Sequence, residues 1–497
     1  MKIIFQLIIL FTLSVAMMQA ENVAISETSQ ECLDCHTTIH PGLVFSWQNS
    51  RHATMSPQLG MQKPELERRI SAESVPEELK NVAVACFECH GLNTKNHKDA
   101  FEHFGYTINL IVSPNDCQTC HPVERQQYSE NLMSHAYGNL VNNVVYKQLI
   151  DAANGHYQIK NGNLTFDEAD ELTKEESCLY CHGTKITVKG KETKETDFGD
   201  IEVPVLTGWP NQGVGRINPD GSLGACSACH TRHNFSIKTA RQPYTCKECH
   251  VGPDVPAFKV YMASKHGNLF STHKDEWNFK DVPWVVGKNF TSPTCATCHA
   301  SLLIDEDENI IAERTHKFND RLSWRLFGVI YAHPHPQSAD LSNIRNKQGL
   351  PLATELTGEP ARDFLISEEE QANRDKNMHR VCKSCHHSQW VSNHFKRLHN
   401  TINKTNRATL TATQLISRIW ESGLARGLPQ QSNLFDEYIE RVWTSSWLFY
   451  SNSIRFTAAM GGGGDYGVFA NGRYQLTNTI YELDSWFKQA SKIQSKK

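Results

Sequence analysis

Apolar positions recur at helical spacing in one long part of the chain. Beyond about residue 407, Ile416, Ile419 and Trp420, then Phe435, Ile439, Val442 and Trp443, follow steps of three and four. A run of four glycines, Gly461 to Gly464, breaks that pattern before a last helix predicted over about 474–492. Such stripes predict helices packed on one another or on a neighbouring subunit. Earlier in the chain the pattern is irregular. Residues 21 to about 330 read as short helices and loops, including the Gly/Pro-rich stretch from Gly208 to Gly224, and 331 to about 400 as an irregular stretch. At the start, Met1 and Lys2 precede the apolar run Ile3 to Met18, followed by Gln19-Ala20-Glu21. This predicts a secretory signal over residues 1–20, and a mature protein that is soluble in the periplasm or another exported compartment. The expected organisation is therefore signal 1–20, an irregular core 21–400 and a helical C-terminal region 401–497.

Composition adds little until the cysteines. With 39% hydrophobic and 21% charged residues and a net charge of −4, the chain is neither disordered nor a polytopic membrane protein. Its basic residues are spread along the sequence, so no nucleic-acid surface is expected. The 16 Cys and 24 His change the picture. All 16 cysteines fall into eight C-x-x-C-H motifs: Cys32, Cys35, His36; Cys86, Cys89, His90; Cys117, Cys120, His121; Cys178, Cys181, His182; Cys226, Cys229, His230; Cys246, Cys249, His250; Cys295, Cys298, His299; and Cys382, Cys385, His386. This is the signature of c-type haem attachment: two thiols add to the vinyl groups of one haem and the adjacent imidazole is an axial ligand. Disulfides and zinc also use paired cysteines, but neither needs a His after every second Cys. At the chain's His frequency, eight in eight by chance is on the order of 10⁻¹⁰, so eight covalently bound haem c groups are predicted and no disulfide.

The motif starts lie 54, 31, 61, 48, 20, 49 and 87 residues apart, which excludes a tandem repeat. About 62 residues serve each haem, so the macrocycles must form much of the apolar interior, and many of the 50 Lys and Arg are expected to offset propionates. The predicted class is mainly α, with an irregular multihaem cytochrome c core and a haem-free helical C-terminal region. Sixteen histidines lie outside the motifs. His52, His135, His266 and His394 share a Ser one or two positions earlier on stretches of helical character, and are candidate distal ligands. His233, three residues after His230, can reach only a neighbouring haem. His333 and His335, in the proline-punctuated YAHPHPQ, read equally as loop residues.

Eight motifs, a close fifth and sixth pair, the CSACHTRHNFS and CKECHVGPD runs, SKHG at His266 and a haem-free helical C-terminus resemble the octahaem hydroxylamine oxidoreductase family over about Cys32 to Tyr481. The resemblance implies that His182 is the sole protein ligand of an open catalytic haem. It makes His52, His97, His135, His233, His266 and His316 distal ligands of six-coordinate haems and leaves the seventh unassigned. The family's oxidising enzymes carry an Asp-His pair after the sixth motif; here it is Asp254-Val255. They also carry a tyrosine from a neighbouring subunit of a trimer, cross-linked to the catalytic macrocycle, and Tyr466 in GGGGDYGVF lies near that position. With the imidazole gone and an unmodified haem expected, the implied activity is reduction of nitrite or hydroxylamine toward ammonia, with Asp254 relaying protons. Implied partners are a redox cytochrome, soluble or membrane-anchored, and two further copies of the chain. Oxidation of hydroxylamine or hydrazine, and pure electron transfer, are the alternatives.

Overall fold

A computed structural model of the protein describes residues 23–496. The signal expected over residues 1–20 lies outside them. The fold is mainly helical, with strands confined to small sheets of two or three strands. Among the described residues no helix is long and apolar enough to cross a membrane.

Up to about residue 330 helices are short, because caps and prolines start and stop them every few residues. Ser26 opens α1 (Glu27–Ile39) by accepting a 3.2 Å hydrogen bond from the Ser29 amide. Ser50 caps the turn Arg51–Thr54, and Ser264 separates α2 (Ala257–Ala263) from α3 (Lys265–His273). Three hairpins interleave with them: β1 (Ala100–His103) with β2 (Tyr106–Asn109), β3 (His156–Lys160) with β4 (Asn163–Asp167), and β5 (Thr187–Lys194) with β6 (Ile201–Thr207). Phe104-Gly105 and Asn161-Gly162 form the first two turns with positive φ at both positions, the conformation whose twist suits a two-residue hairpin.

The later helices carry the largest apolar core. They are α4 (Glu368–Lys383), α5 (Ser388–Glu421), α6 (Tyr438–Ser445), α7 (Asn452–Ala459) and α8 (Arg473–Gln494), with a π-helical segment, Ser446–Ser451, joining α6 to α7. Ile416, Ile419, Trp420, Phe435, Ile439 and Trp443 are all buried there, as their spacing predicts, together with Trp447 and Leu483. The indoles pack edge to face, Trp420 and Trp443 at 5.5 Å, and each N–H finds a partner: Glu440 Oε1 at 2.7 Å and Thr413 Oγ1 at 3.1 Å. Helix α5 begins two residues after the eighth motif and runs straight through position 400, so the core and the C-terminal region share one 34-residue element instead of parting there. The glycines end α7 as expected: Gly461, Gly462 and Gly464 all take positive φ.

Candidate functional site

Several motifs are single helical turns, among them Cys86–His90, Cys178–His182 and Cys295–His299. In a helix, residues i, i+3 and i+4 share one face, so each turn presents two thiols and one imidazole to the same side. Among the described residues no two cysteines are joined in a disulfide. Backbone carbonyls fix two of the imidazoles: His90 Nδ1 lies 2.7 Å from the Asn109 carbonyl and His182 Nδ1 lies 3.3 Å from that of Ala136. A proton on Nδ1 leaves Nε2 as the ligating atom.

The motifs lie side by side in an order the sequence does not follow. Cys32 and Cys86, Cys117 and Cys226, Cys181 and Cys249, and Cys246 and Cys295 lie close enough to shift one another's ionisation. Cys89 neighbours Cys120, Cys229 neighbours Cys246, and Cys298 neighbours Cys382. Joined end to end, these contacts give the path one, two, three, five, six, seven, eight. The fourth motif branches from the sixth.

Opposite four motif histidines stands a second imidazole. Ring centres are 6.4 Å apart for His52 and His121, 6.3 Å for His316 and His230, 6.0 Å for His266 and His386, and 6.1 Å for His103 and His36. Two metal–nitrogen bonds of about 2 Å, plus about 1 Å from each nitrogen to its ring centre, give that separation for one iron between them. Burial pushes His52, His230 and His316 down to about 4, so they are neutral and able to ligate at neutral pH. His233, also pushed down to about 4 by burial and by its neighbour His90, stands beside the second motif. His103 sits at the end of β1, where nothing in the local sequence marks it.

Two expected distal ligands sit elsewhere. His97 has both nitrogens taken: Nδ1 by Asp99 at 3.1 Å and Nε2 by Asp116 at 3.2 Å. Burial alone would lower its pKa, but the hydrogen bonds to Asp116 and Asp99 raise it to about 10. It is a buried imidazolium among carboxylates, with no lone pair left for a metal. His135 turns Nε2 to the Ser129 carbonyl at 2.9 Å, away from any motif imidazole.

Around the fourth motif, His182 feels several groups. Burial lowers its pKa, the Ala136 carbonyl and Asp254 raise it, and Arg325 lowers it again. Asp254 also influences His250, which places it between the fourth and sixth motifs. Asn452 of α7 donates to the Asp254 backbone carbonyl at 3.0 Å and so ties this loop to the C-terminal helices. Tyr466 lies half-buried on the turn Gly464–Gly467, whose glycine-rich approach packs on α2: a Cβ on Gly463 would lie 3.7 Å from Val260. Four arginines, Arg216, Arg241, Arg321 and Arg455, are buried without an ion pair among the described residues. A buried guanidinium needs an anion or a full set of acceptors, and Arg455 Nε has neither. The helical turns, the 6 Å gaps and the unpartnered Arg455 Nε fit haem and its propionates.

Comparison with known proteins agrees with this donor set. Residues 221–322 match the family model described as seven times multi-haem cytochrome CxxCH, and residues 164–251 that of cytochrome c7 and related cytochrome c. A curated relative from Kuenenia stuttgartiensis, a probable nitrite reductase-hydroxylamine oxidoreductase fusion protein, is 24% identical over 390 residues, 74% of this chain. The chain spans about a third (35%) of that relative's length. Among solved structures, a hypothetical multiheme protein is 41% identical, covers 96% of this chain and 98% of its own, and superposes with a TM-score of 0.88. A reducing HAO-like protein complex of Kuenenia stuttgartiensis shares the fold at a TM-score of 0.61 and 16% identity, over 94% of this chain and 86% of that one. With motifs, fold and full-length identity in agreement, the chain belongs to the multihaem cytochromes c and carries covalently bound haem c.

Proposed function

We propose that the chain is an exported octahaem enzyme, one haem per motif, that reduces a small nitrogen compound, nitrite or hydroxylamine, toward ammonia at the fourth motif. The observation that carries this reading is the contrast in imidazole pairing. His36, His121, His230 and His386 each face a second imidazole, whereas His182, His250 and His299 face none among the described residues, and of these three only His182 has both Asp254 and Arg325 nearby. Haem iron with one protein ligand supplies a centre that binds substrate nitrogen and exchanges electrons with it. His182, held by the Ala136 carbonyl, is the ligand that leaves the opposite face free. Asp254 relays protons to the substrate, and Val255 beside it has no proton to give. The imidazole pairs at His36, His121, His230 and His386 would hold their haems from both sides and confine them to passing electrons. Arg455, whose Nε has no partner, would neutralise a propionate. The relatives' printed names, which pair nitrite reductase with hydroxylamine oxidoreductase and describe an HAO-like complex as reducing, support the substrate class and direction.

The decisive experiment is electron spin resonance of the haem-loaded protein, with intact mass alongside. One high-spin centre that is lost in His182→Ala, in a chain carrying eight haems, is the expected result. Low-spin haem throughout would reassign the protein as an electron carrier. Hydroxylamine oxidation faster than nitrite or hydroxylamine reduction, with a chain dimer or trimer cross-linked through Tyr466 on denaturing mass analysis, would reverse the direction.

A further inference from the structure

Next to the fourth motif, a two-stranded ladder pairs Trp324–Arg325 with His333–Pro334 in antiparallel register, with Arg325 opposite His333. Directly opposed residues project from the same face of such a ladder, so the guanidinium and the imidazole look the same way. The loop between them is tight. A Cβ on Gly328 would collide with the Tyr331 carbonyl and come within 3.1 Å of His333 Cδ2, so only glycine lets the chain close over the imidazole.

His333 is buried, and its Nδ1 lies 2.6 Å from the Pro334 carbonyl. That bond places the proton on Nδ1 and leaves the Nε2 lone pair as an acceptor. Burial first, and then Arg325, holds its pKa down at about 3, so the ring is neutral. Arg325 forms no ion pair among the described residues, although it is only half-buried. Both side chains line one cavity of about 20 Å³ together with Tyr146 and Asn143. That is room for one molecule of a few heavy atoms. The cavity adjoins the fourth motif on two sides: Tyr146 packs on the cluster of Leu140, Ile150 and Leu179, which Cys178 also borders, and Arg325 acts on His182. Asn143 is immobilised, its Oδ1 capping the amides of Val145 and Tyr146 and its Nδ2 donating to the Pro351 carbonyl.

We infer that this cavity is the substrate pocket of the fourth motif, in which Arg325 recognises a small planar oxyanion and His333 Nε2 accepts a hydrogen bond from a reduced, protonated form of it. The inference rests on the reductive reading above and names its selectivity. A guanidinium presents two parallel N–H donors that match the two oxygens of nitrite. A neutral imidazole acceptor cannot bond to nitrite, which has no hydrogen, but suits hydroxylamine, which has three. One pocket thus holds both ends of a reduction sequence, each by a different side chain.

The test is equilibrium titration of haem-loaded wild type, Arg325→Gln, Arg325→Lys and His333→Phe with nitrite and with hydroxylamine, following the high-spin optical and spin-resonance signals. Arg325→Gln is expected to weaken nitrite binding on the order of tenfold or more and hydroxylamine binding by less than about threefold, with Arg325→Lys between wild type and Gln for nitrite. His333→Phe is expected to do the reverse. Equal losses for both ligands in both variants, or no loss in either, would overturn the pocket while leaving the nitrogen chemistry intact. A wild-type protein whose spectrum neither ligand perturbs would instead overturn the proposed function.

Discussion

Asn452 donates its side-chain amide to the backbone carbonyl of Asp254 at 3.0 Å, and to that of Leu448, one turn back in its own helical run, at 2.7 Å. It is fully buried, and it connects two parts of the chain 198 residues apart, the loop after the sixth motif and the haem-free helices. The C-terminal region therefore positions the proposed proton carrier. Asn452→Leu keeps the volume and removes the donor. It is expected to lower kcat for nitrite or hydroxylamine reduction roughly tenfold to a hundredfold with KM little changed, at unaltered haem content. Asp254→Asn should lose more, about 10²–10⁴-fold. Steady-state kinetics of the two variants, with pyridine-haemochrome assay for haem content, checks both.

His103 and His97 make opposite predictions. His103→Ala removes the imidazole facing His36 and is expected to add a second high-spin centre to the spin-resonance spectrum. His97→Ala should leave every haem signal in place. It should instead destabilise the fold by about 3–5 kcal/mol, because Asp99 and Asp116 lose the buried cation between them. Spectra and denaturant titrations of both variants separate the two roles, and a new high-spin signal in His97→Ala would return it to the haem.

What the sequence could and could not show about these histidines has a physical cause. A Ser shortly before His52 and His266 is legible because Ser50 and Ser264 cap short helices and set the imidazole in the first turn, where the backbone holds it rigidly. The same spacing at His135 and His394 is accidental: His135 itself stands at the cap position of its helix, and His394 lies inside the long α5. His103 and Arg325 owe their positions to strand pairing, His103 with Tyr106 across a two-residue turn and Arg325 with His333, and not to any helical or capping pattern. The apolar stripes of the C-terminal helices were legible almost residue by residue, since burial there follows helical period alone. The boundary at 400 was not, because Val391, Phe395, Leu398 and Ile402 already follow helical steps across it and the period shows no break there.

Glu440 gives the fold a pH dependence. Its carboxyl is fully buried against Trp420, and burial pushes its pKa up from 4.5 to about 8. A folded-state pKa raised above the unfolded one contributes stability that is complete below about pH 4.5 and is lost as pH rises through about 8. The thermal midpoint by far-UV circular dichroism is therefore expected to fall between pH 5 and pH 8. Glu440→Gln, which still accepts from the Trp420 indole, should flatten that slope, and an identical slope in the variant would exclude Glu440 as its source.

An exposed apolar patch on the C-terminal helices supports association of copies of this chain. Phe469, Tyr474 and Tyr481 are each more than half exposed, with Val468 beside them, and the rings of Phe469 and Tyr474 lie 5.9 Å apart. A homotrimer is the expected state, and Phe469→Asp with Tyr481→Asp is expected to shift it toward monomer at micromolar concentration. Sedimentation velocity decides the matter, and a wild-type monomer would remove the intersubunit role of this region.

With one haem per motif and the site at the fourth, as proposed, the branching of the fourth motif from the sixth would make the molecule a circuit with two terminals and one load. Current entering near the first motif travels through the second, third and fifth, and current entering near the eighth travels through the seventh, and both meet at the sixth before reaching the site. The two arms are in parallel, so an interruption in either one slows delivery without stopping it. The sixth motif is in series with everything, and its loss disconnects the load. Between turnovers both arms hold charge on the near side of that junction, so a reaction needing several electrons at once draws on a store already filled from two directions.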